Sequence, residues 1–573
     1  MQTVIFDIET DNLLLDVTKL HVGVTYCIET KETKVFYNPI EMVNYLNTSD
    51  IIIGHNIIAF DIPALEKLSS MKITPKVKDT LLMAQLIFYD KDRSWSHSLD
   101  AYGERLKFAK GKHSDWTQYS KEMEEYCIRD VEVTTKLYNN LISRQDWLTD
   151  ETLEVEQQVQ RIITKQYING WTFDVKKAEA LHIELVQRKE ELLDTINTIF
   201  KPKFIANGSL KEPKKVFKRN GVHTVGIHQP IIYSEFNPSS GQHIYWWIEQ
   251  ELGKQEWILT EKGTPKTDAD SLTAMFKDEP FTKPLLEYFD VNKLLGQLAE
   301  GDKAWLKLVR NDGKLHGQVN ILGTNTGRAT HNNPNLAQVP SPRAFKGKEV
   351  RSLFTHTPGM VNVGCDLSGV ELRCLAHYMA LYDNGEYAKI ILEGDIHTAN
   401  QKAAGLPTRD SAKTFIYALL YGASGAKIGS IIGKGATEGN KLKKKFLDNL
   451  PALAKLLDAV TKAAKRGYLV GITGRRLHIR SPHSALNVLL QSLGAYISKI
   501  WLIEIDKELT KRGIKYNQLG WIHDEVQIEC YPKDTEVVKT VLVESATRAG
   551  ELLQLRCRID AEAKEGLSWY EVH

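Results

Sequence analysis

The sequence predicts a multidomain protein in which an α/β segment precedes a larger α+β segment. Three observations support this class. Thr3 to Thr10 alternates apolar and acidic residues as a strand does. Residues 175–200 and 281–310 have the pattern of long helices. Further on, a strand that ends at Asp366 and a strand–turn–strand pattern at 521–528 predict a sheet that carries acidic side chains at its edge.

Composition is that of an ordinary soluble chain, with 573 residues, 42% hydrophobic and 25% charged, which suffices for several domains. The formal net charge is only +2, so affinity for DNA would have to come from local basic surfaces. Six cysteines without paired spacing indicate free thiols in a reducing interior. We expect no signal peptide, because a strand pattern starts the chain, and no membrane span, because no apolar run approaches the required length.

Acidic residues recur along the N-terminal α/β segment, which we expect to extend to about residue 165. Asp7 and Glu9 are two positions apart on a strand, so their side chains share one face. Asp61 follows an apolar stretch, and Tyr126 and Asp130 are one helical turn apart.

A second acidic set lies in the α+β segment. Asp366 ends a strand, Glu371 begins the next helix, and the sequence places Asp524 and Glu525 at the tip of a hairpin. Magnesium prefers carboxylate and phosphate oxygens, so Asp366 and Asp524 could share two metal ions about 3.5–4 Å apart. The alternatives are a solvated turn at 524–525 and a helix N-cap at Asp366.

A helix is predicted from Pro407 and Thr408 to Gly422. Two cations and two aromatic residues recur on it every four residues and form one stripe: Arg409, Lys413, Tyr417 and Tyr421. Arginine and lysine suit phosphates, and the rings offer stacking faces, so the stripe fits a nucleoside triphosphate. The alternative is a solvated helix face that ends in packed tyrosines.

Three ordered motifs resemble those of family A DNA polymerases, the DNA polymerase I family. They are Asp366-Leu-Ser-Gly-Val-Glu371, Arg409-x3-Lys413-x3-Tyr417-x3-Tyr421-Gly and His523-Asp524-Glu525. Further stretches, such as Thr326 to His331 and Arg480 to Asn487, resemble the replicative polymerases of T-odd-type podoviral phages. The similarity covers nearly the whole chain except roughly 201–245.

The resemblance implies a ribonuclease H-like 3′→5′ exonuclease domain followed by a right-hand polymerase domain with palm, fingers and thumb. It implies template-directed extension of a primer 3′-hydroxyl with deoxynucleotides by two-metal-ion phosphoryl transfer, with proofreading, in phage DNA replication. The implied cofactor is Mg²⁺, two ions at each site, for which Mn²⁺ can substitute. The implied location is the cytoplasm of the bacterial host.

The resemblance also assigns roles in the polymerase site. The metal ligands would be Asp366, Leu367 and Asp524. The further catalytic residues would be Glu525 and Lys413. The nucleotide-binding residues would be Arg409, Lys413, Tyr417, Tyr421, His397 and Glu371, of which Glu371 would exclude a ribose 2′-hydroxyl. The residues that contact primer and template would be Arg328, His331, His483, Asn487, Gln491 and His523.

The N-terminal acids resemble the metal ligands of a DEDD-type exonuclease. The implied ligands are Asp7, Glu9, Asp61 and Asp130, with Tyr126 as the catalytic residue that orients water. The alternative is a degenerate, inactive proofreading domain. The presence of all four acids and the tyrosine favours an active one.

The resemblance places the exonuclease domain at 1–165, the thumb at 166–310, the palm at 311–379 and 486–573, and the fingers at 380–485. A basic insertion at 201–240 is either a solvated loop or a surface that binds DNA or a partner. The implied partners are primer–template DNA, deoxynucleoside triphosphates, a helicase–primase, and host thioredoxin or another processivity factor at this insertion, which is short for that role.

Three other functions compete with this one. A nuclease whose C-terminal two-thirds only binds DNA would not need Asp366, Asp524 and Lys413. A single-subunit RNA polymerase would need neither Glu371 nor the exonuclease acids. A non-catalytic replication scaffold would need neither acidic set.

Overall fold

The computed structural model describes residues 2–91, 94–109, 111, 113–144, 148–212, 217–219, 222–224, 227–260 and 262–573. The chain forms two compact units. The larger comprises Met1–Thr172, Lys314–Val339 and Phe354–His573, and the smaller comprises Phe173–Gly313 and Pro340–Leu353.

The N-terminal part of the larger unit is a mixed sheet with helices. Its strands are β1 (Thr3–Thr10), β2 (Leu20–Cys27), β3 (Thr33–Phe36), β4 (Ile51–Gly54) and β5 (Lys76–Asp79), in the order β3-β2-β1-β4-β5. Its helices are α1 (Pro39–Leu46), α2 (Asp61–Ser69), α3 (Thr80–Ile87), α4 (Leu99–Arg105), α5 (Lys121–Ile142) and α6 (Asp150–Asn169), and the short strand β6 (Trp171–Thr172) follows. The central strand β1 pairs antiparallel with β2 and parallel with β4. The predicted ribonuclease H-like α/β fold is confirmed.

The smaller unit is mainly helical. Its elements are α7 (Val175–Ile199), β7 (Lys203–Ala206), β8 (Phe217–Arg219), β9 (Val222–Thr224), β10 (Ile231–Ser234), α8 (Gly241–Leu252), α9 (Ala269–Phe276), α10 (Thr282–Leu295), α11 (Trp305–Leu308) and α12 (Gly347–Arg351). The start of α10 lies beside the end of α7, because the rings of Phe200 and Phe281 are 5.2 Å apart. Further along the pair, Arg188 bonds Glu287 at 2.7 Å. The two helices are therefore antiparallel, as predicted.

Two predictions about this unit need correction. The helix predicted over 281–310 is not continuous, because a π-helical turn at Gly296–Glu300 ends at Gly301 before α11 begins. The insertion at 201–240 is not wholly loop, because β7 pairs with β10 and β8 pairs with β9. Residues 213–216, 220–221 and 225–226 of the insertion lie outside the described residues, so its basic residues Lys214 and Lys215 do as well.

The rest of the larger unit is built on a second sheet. The strands of this part of the chain are β11 (Lys314–Leu315), β12 (Gln318–Asn320), β13 (Thr330–Asn332), β14 (Val361–Leu367), β15 (Tyr468–Val470), β16 (Arg476–His478), β17 (Tyr516–Ile522), β18 (Glu525–Cys530) and β19 (Ala561–Gly566). Four of them form an antiparallel sheet in the order β17-β18-β14-β19. The predicted antiparallel sheet around Asp366 and the 521–530 hairpin is therefore confirmed.

Helices complete this part of the larger unit. They are α13 (Val370–Asp383), α14 (Glu386–Glu393), α15 (Ile396–Ala404), α16 (Arg409–Leu420), α17 (Gly425–Ile431), α18 (Ala436–Asn449), α19 (Pro451–Ala464), α20 (Ala485–Lys511) and α21 (Thr535–Leu552). The long helix α20 packs against α21, and Trp501 donates its indole N–H to the carbonyl of Leu542. Lys499 on the same helix forms a fully buried ion pair with Glu156 of α6 at 2.6 Å. This pair joins the N-terminal sheet domain to the second sheet.

One helical stretch of the described chain, Pro482–Lys511, is long and apolar enough to cross a membrane by length and composition. The sequence prediction that no apolar run approaches that length is wrong on this point. Because 72% of the apolar window is buried inside the protein, the stretch has the burial of a core helix.

Candidate active sites

Strand pairing brings the two predicted polymerase aspartates to one edge of the second sheet. Asp366 on β14 is in register with Glu525 on β18. The N–H of Leu367 donates to the carbonyl of Asp524 at 3.0 Å, which fixes the hairpin turn against the end of β14. The side chain of Asp366 is exposed, that of Asp524 is half-buried, and that of Leu367 is buried. Leu367 could therefore offer a metal only its main-chain oxygen.

The hairpin turn consists of His523 and Asp524, and His523 has a φ of +61°. Glu525 is not at the tip, so that part of the prediction is wrong. It is the first residue of β18 and is buried. Its Oε1 accepts hydrogen bonds from Trp569 at 2.5 Å and Gln527 at 2.6 Å.

The pKa values of the two aspartates at this edge are raised, so their ionisation is disfavoured. Desolvation of its carboxylate, together with the charges of Asp524 and Glu525, raises the pKa of Asp366 to about 7. Burial also raises the pKa of Asp524. Grouped carboxylates that resist ionisation are stabilised by a bound cation, and a set of oxygen donors suits Mg²⁺.

The segment after Asp366 is fixed by residues that the sequence analysis missed. Arg373 donates from Nε to the carbonyl of Ser368 at 2.6 Å and forms an ion pair with Asp560 at 3.1 Å. The N–H of Ser368 donates to the carbonyl of Asp560 at 2.8 Å. No spacing in the sequence connects Asp560 with this segment. Together these bonds hold the turn between Asp366 and α13.

Helix α16 carries the predicted cation–aromatic stripe. Thr408 caps it and forms a capping box with Ser411. Lys413 is exposed, Tyr417 is half-buried, and Tyr421 lies directly after the last helical residue. The following Gly422 has a φ of +73°, and a Cβ there would lie 2.6 Å from the carbonyl oxygen of His483. Glycine therefore lets the end of the stripe approach the turn before α20.

Arg409 is bound to an acid that the sequence analysis did not single out. Its guanidinium makes two hydrogen bonds to Asp395, at 2.7 and 3.2 Å. Asp395 also caps α15 by accepting from the N–H groups of His397 and Thr398. An aspartate directly before a predicted helix is the signal that could have identified it. Among the described residues Lys413 forms no ion pair, so its ammonium is available to a phosphate.

Glu371 is held between the stripe and the predicted DNA contacts. Tyr421 donates its hydroxyl to Glu371 at 2.7 Å, and Nη2 of Arg328 bonds the same oxygen at 3.1 Å. His397, which the sequence assigns to the nucleotide, lies with its ring 6.5 Å from that of Tyr417. Two groups of the predicted nucleotide-binding residues are thus in contact, Glu371 with Tyr421 and His397 with Tyr417.

Four of the six predicted DNA-contacting residues line one groove of ≈ 1120 Å³: Arg328, His331, Gln491 and His523. Asn487 lies one turn before Gln491 on α20, and His483 is exposed just before that helix; neither lines the groove. The rings of His331 and His523 are 6.5 Å apart. Burial and the charge of His523 lower the pKa of His331 to about 4, so it is neutral near pH 7.

The four predicted exonuclease acids meet around Cys127. Asp7 and Glu9 lie on β1, Asp61 begins α2 and Asp130 lies on α5. An oxygen of Asp61 accepts from the N–H of Ile8 at 3.2 Å. Burial raises the pKa of the Cys127 thiol, and the charges of all four acids raise it further. The thiol stays protonated and approaches the main-chain oxygen of Asp7 at 3.5 Å.

Burial also dominates the acid–base behaviour of this site. It raises the pKa of Asp61 to about 7 and that of Asp79 to about 6. Asp79 caps α3 and accepts from the N–H groups of Asn56 and Ile58, so it supports the chain that leads to Asp61. The ring of Tyr126 lies 5.6 Å from that of Trp116. These carboxylates suit Mg²⁺ as well as those at the second sheet.

Comparisons with known proteins agree with this geometry. The family model described as DNA polymerase family A matches residues 211–571. The chain is 36% identical over 707 residues to a DNA-directed DNA polymerase of Enterobacteria phage T3, with 99% of each chain covered. It is 36% identical over 711 residues to a DNA-directed DNA polymerase of Escherichia phage T7, with 100% of each covered. Since 711 positions exceed the 573 residues here, that relative has segments that this chain lacks.

The fold agrees with a more distant solved structure. The POL domain of Pol1 from M. smegmatis, in complex with DNA primer-template and dNTP, superimposes with a TM-score of 0.80 at 19% identity, covering 100% of this chain and 96% of that one. The predicted resemblance is confirmed by a match that spans more than half of the chain and by full-length relatives. This chain belongs to DNA polymerase family A.

Proposed function

We propose that this DNA polymerase extends a primer 3′-hydroxyl at Asp366 and Asp524, and that its N-terminal domain removes 3′ nucleotides at Asp7, Glu9, Asp61 and Asp130. The observation that carries the proposal is the position of α16. Tyr421 on its stripe bonds Glu371, which lies five residues after Asp366. The stripe therefore ends beside the acidic edge of the second sheet, where a triphosphate held by its cations would meet the carboxylates.

Family A polymerases depend on a divalent metal, generally Mg²⁺. In the proposed polymerase site, Asp366, Asp524 and the main-chain oxygen of Leu367 would hold two Mg²⁺ ions, and Mn²⁺ could replace them. When bound, the ions supply charge that acidifies the 3′-hydroxyl and neutralises the departing pyrophosphate. Glu525 would act through its charge on Asp366, since its Oε1 accepts from Trp569 and Gln527 and its Oε2 lies 3.3 Å from Nδ1 of His573.

The chain's own groups would bind and orient the substrates. Lys413 would hold the triphosphate, and Arg409 would join it after releasing Asp395. Tyr421 would stack at the nascent base pair, with Tyr417 and His397 beside the sugar and phosphates. Glu371, fixed by Tyr421 and Arg328, would leave no room for a 2′-hydroxyl.

DNA would lie along the groove lined by Arg328, His331, Gln491 and His523, with Asn487 and His483 at its α20 end. A fixed set of side chains suits phosphoryl transfer, which needs positioning and charge more than covalent help.

The exonuclease site would hold two Mg²⁺ ions on its four acids. Tyr126 would orient the attacking water, because its ring is packed against Trp116 and its hydroxyl is then confined. In this proposal residues 1–165 form the exonuclease domain, 166–310 the thumb, 311–379 and 486–573 the palm, and 380–485 the fingers. The proposed place of action is the cytoplasm of the bacterial host.

A labelled primer on a longer template tests both sites in the full-length protein. With Mg²⁺, we expect extension when the four deoxynucleotides are present and 3′ shortening when they are absent. Asp524→Ala should abolish only extension, and Asp7→Ala only shortening. Shortening without extension in the wild type would refute the polymerase assignment. Extension without shortening would mean that the N-terminal acids are inactive.

We also propose that the insertion at 201–240 binds a processivity factor, with host thioredoxin as the first candidate. Large apolar side chains on the pair β7–β10 face solvent, among them Phe204, which is 70% exposed, and Ile231, which is 63% exposed. Exposed apolar clusters of this kind are typical of protein interfaces. The helicase–primase partner stays a prediction.

The thioredoxin proposal needs a binding and a synthesis measurement. We expect immobilised polymerase to retain purified host thioredoxin, and thioredoxin to lengthen the products made in one binding event. Phe204→Ser with Ile231→Ser should lose both effects and keep extension of short templates. No retention and no gain in length would exclude thioredoxin as the factor.

A further inference from the structure

The C-terminal segment, residues 567–573, lies against the sheet that carries the polymerase acids. It passes directly over β14, because a Cβ placed at Gly364 would lie 2.6 Å from the carbonyl oxygen of Val572. Gly364 is two positions before Asp366, and residues two apart on a strand point to the same face. The segment therefore packs on the face of the sheet to which Asp366 belongs, and it can approach closely because Gly364 has no side chain.

One side chain of this segment bonds a carboxylate of the acidic edge. The indole N–H of Trp569 donates to Oε1 of Glu525 at 2.5 Å, and both residues are buried. The same oxygen accepts from Gln527, while Oε2 lies 3.3 Å from Nδ1 of His573. Hydrogen bonds to carboxylates are short and strong, so the N–H of Trp569 helps to fix the direction in which the carboxylate of Glu525 points.

The indole of Trp569 is itself held by packing. Its ring lies 4.9 Å from that of Trp171 and 5.3 Å from that of Phe354. Its main-chain N–H donates to the carbonyl of Phe354 at 2.9 Å, and the residue is 0% exposed. Rings packed at core density keep one rotamer, so the core, and not Glu525, decides where the indole N–H points.

The neighbouring tryptophan shows that this acceptor is not required by the packing. A buried indole N–H needs a partner, and for Trp171 that partner is the main-chain oxygen of Thr355 at 3.1 Å. Trp569 instead bonds Glu525, which is in register with Asp366 on the adjacent strand. Because the interaction of two charges depends on their separation, the orientation of Glu525 sets the field at Asp366.

We infer that Trp569 is a positioning residue of the polymerase site. Its N–H holds the carboxylate of Glu525 in the orientation that places its charge beside Asp366, which raises the affinity of the acidic edge for divalent cations. The inference rests on the proposed function, because it concerns the same site. The C-terminal segment is then part of that site through Trp569.

Two matched variants of the full-length protein test this role. Trp569→Phe and Trp171→Phe each remove one buried N–H and keep a ring in the same aromatic cluster. Single-turnover addition at several nucleotide concentrations separates the maximal rate from the nucleotide dissociation constant. We expect Trp569→Phe to lower the maximal rate about tenfold and to change the dissociation constant less than about twofold. Trp171→Phe should change neither value by more than about twofold.

A double-mutant cycle tests whether Trp569 acts through Glu525. In a Glu525→Ala background the partner of the indole is absent, so Trp569→Phe should lower the maximal rate no further. A third variant separates position from stability. In Trp569→His, Nε2 occupies the ring position of the indole Nε1, but the smaller ring leaves a cavity. We expect Trp569→His to unfold at a lower temperature than Trp569→Phe and yet to add nucleotides faster, whereas a merely structural role predicts the reverse order of rates.

Binding of Mn²⁺ alone gives a measurement that does not need catalysis. The electron paramagnetic resonance signal of free Mn²⁺ is titrated without DNA or nucleotide, in an Asp7→Ala background that removes a proposed ligand of the exonuclease site. Trp569→Phe should weaken Mn²⁺ binding about tenfold, and Trp171→Phe should not. This result stands even if the protein fails to extend a primer, so failure of the proposed function and failure of the inference can be told apart.

Three results would each overturn the inference. One is a maximal rate or a Mn²⁺ affinity that Trp569→Phe leaves at the wild-type value. Another is an equal loss in Trp171→Phe, which would indicate general damage to the aromatic cluster. The last is a loss that persists in full when Glu525 has been replaced by alanine.

Discussion

The two acidic sites differ in how far their aspartates are exposed to solvent. At the N-terminal sheet, Glu9, Asp61 and Asp130 are buried, and Asp61 is held by the main-chain N–H of Ile8. At the second sheet, Asp366 is exposed and stands at the end of a strand. Yet burial raises the pKa of both Asp61 and Asp366 to about 7.

The difference between the sites lies in what surrounds the acids. Near the second sheet, Glu371 accepts a hydrogen bond from Tyr421 at the end of α16. The stripe on this helix begins with Arg409 and Lys413. Hydrolysis of a phosphodiester involves one phosphate, whereas nucleotide addition must hold a triphosphate and release pyrophosphate. Under the proposed function, similar acidic clusters would serve both sites, and the added cations would adapt the second one to a more highly charged substrate.

The largest expected effect tests the role of these cations. Lys413→Ala should lower kcat/KM for nucleotide addition about a hundredfold or more, because a preorganised charge at the developing negative charge is lost. Shortening of the primer in the same preparation should change less than about twofold, since the exonuclease acids are untouched. Single-turnover extension and hydrolysis measure the two rates. Equal losses in both would contradict the comparison.

The next effect follows from the pKa of about 7 that Asp61 and Asp366 have in common. Protons compete with Mg²⁺ for carboxylates, so the half-saturating Mg²⁺ concentration should rise about tenfold between pH 8 and pH 6 for a ligand with a pKa of about 7. We expect this rise for both extension and shortening, measured as Mg²⁺ titrations at each pH. A rise in one activity alone would show that the metal-binding acids of the two sites titrate differently.

The free energy of unfolding, measured without metal, should show how much the buried acids destabilise the fold. Asp61 has a folded pKa of about 7 against an ordinary value of 3.8, so its contribution to stability falls as pH rises from about 4 to about 7. Asp61→Asn should therefore raise the free energy of unfolding in EDTA at pH 8 by about 1–2 kcal/mol, and the gain should shrink toward pH 4. Urea unfolding measures it. Asp61→Asn should also lose shortening activity, whereas a destabilised variant would contradict this account.

The smallest expected effect concerns the position of Glu371. Tyr421→Phe removes one hydrogen bond to Glu371 and leaves that from Arg328, so preference for deoxy- over ribonucleotides should fall about fivefold, equivalent to about 1 kcal/mol. Competition between the two nucleotides in primer extension measures the ratio. Glu371→Ala should lower the preference further, and an unchanged ratio in Tyr421→Phe would show that Arg328 alone positions the carboxylate.

Local patterns in the sequence determined much of what positions the sites. The alternation around Asp7 and Glu9 is set by strand geometry, and the four-residue spacing of Lys413 and Tyr417 is set by the helical repeat. Thr408 and Gly422 mark the helix ends because their side chains or backbone satisfy the terminal groups. Such features depend on near neighbours in the chain, so they can be predicted without the fold.

Tertiary structure alone decided the surroundings of these residues. Glu525 is in register with Asp366 and accepts a hydrogen bond from Trp569, which lies 44 residues further along the chain. The bond of Arg373 to Asp560 and the buried pair of Glu156 with Lys499 join residues far apart in the chain. The groove that contains Arg328 and His523 likewise combines residues 85–97 with residues 320–338 and 475–523. Packing chooses such partners, and since no spacing along the chain encodes them, the sequence could name the acids but not the environment that raises their pKa values.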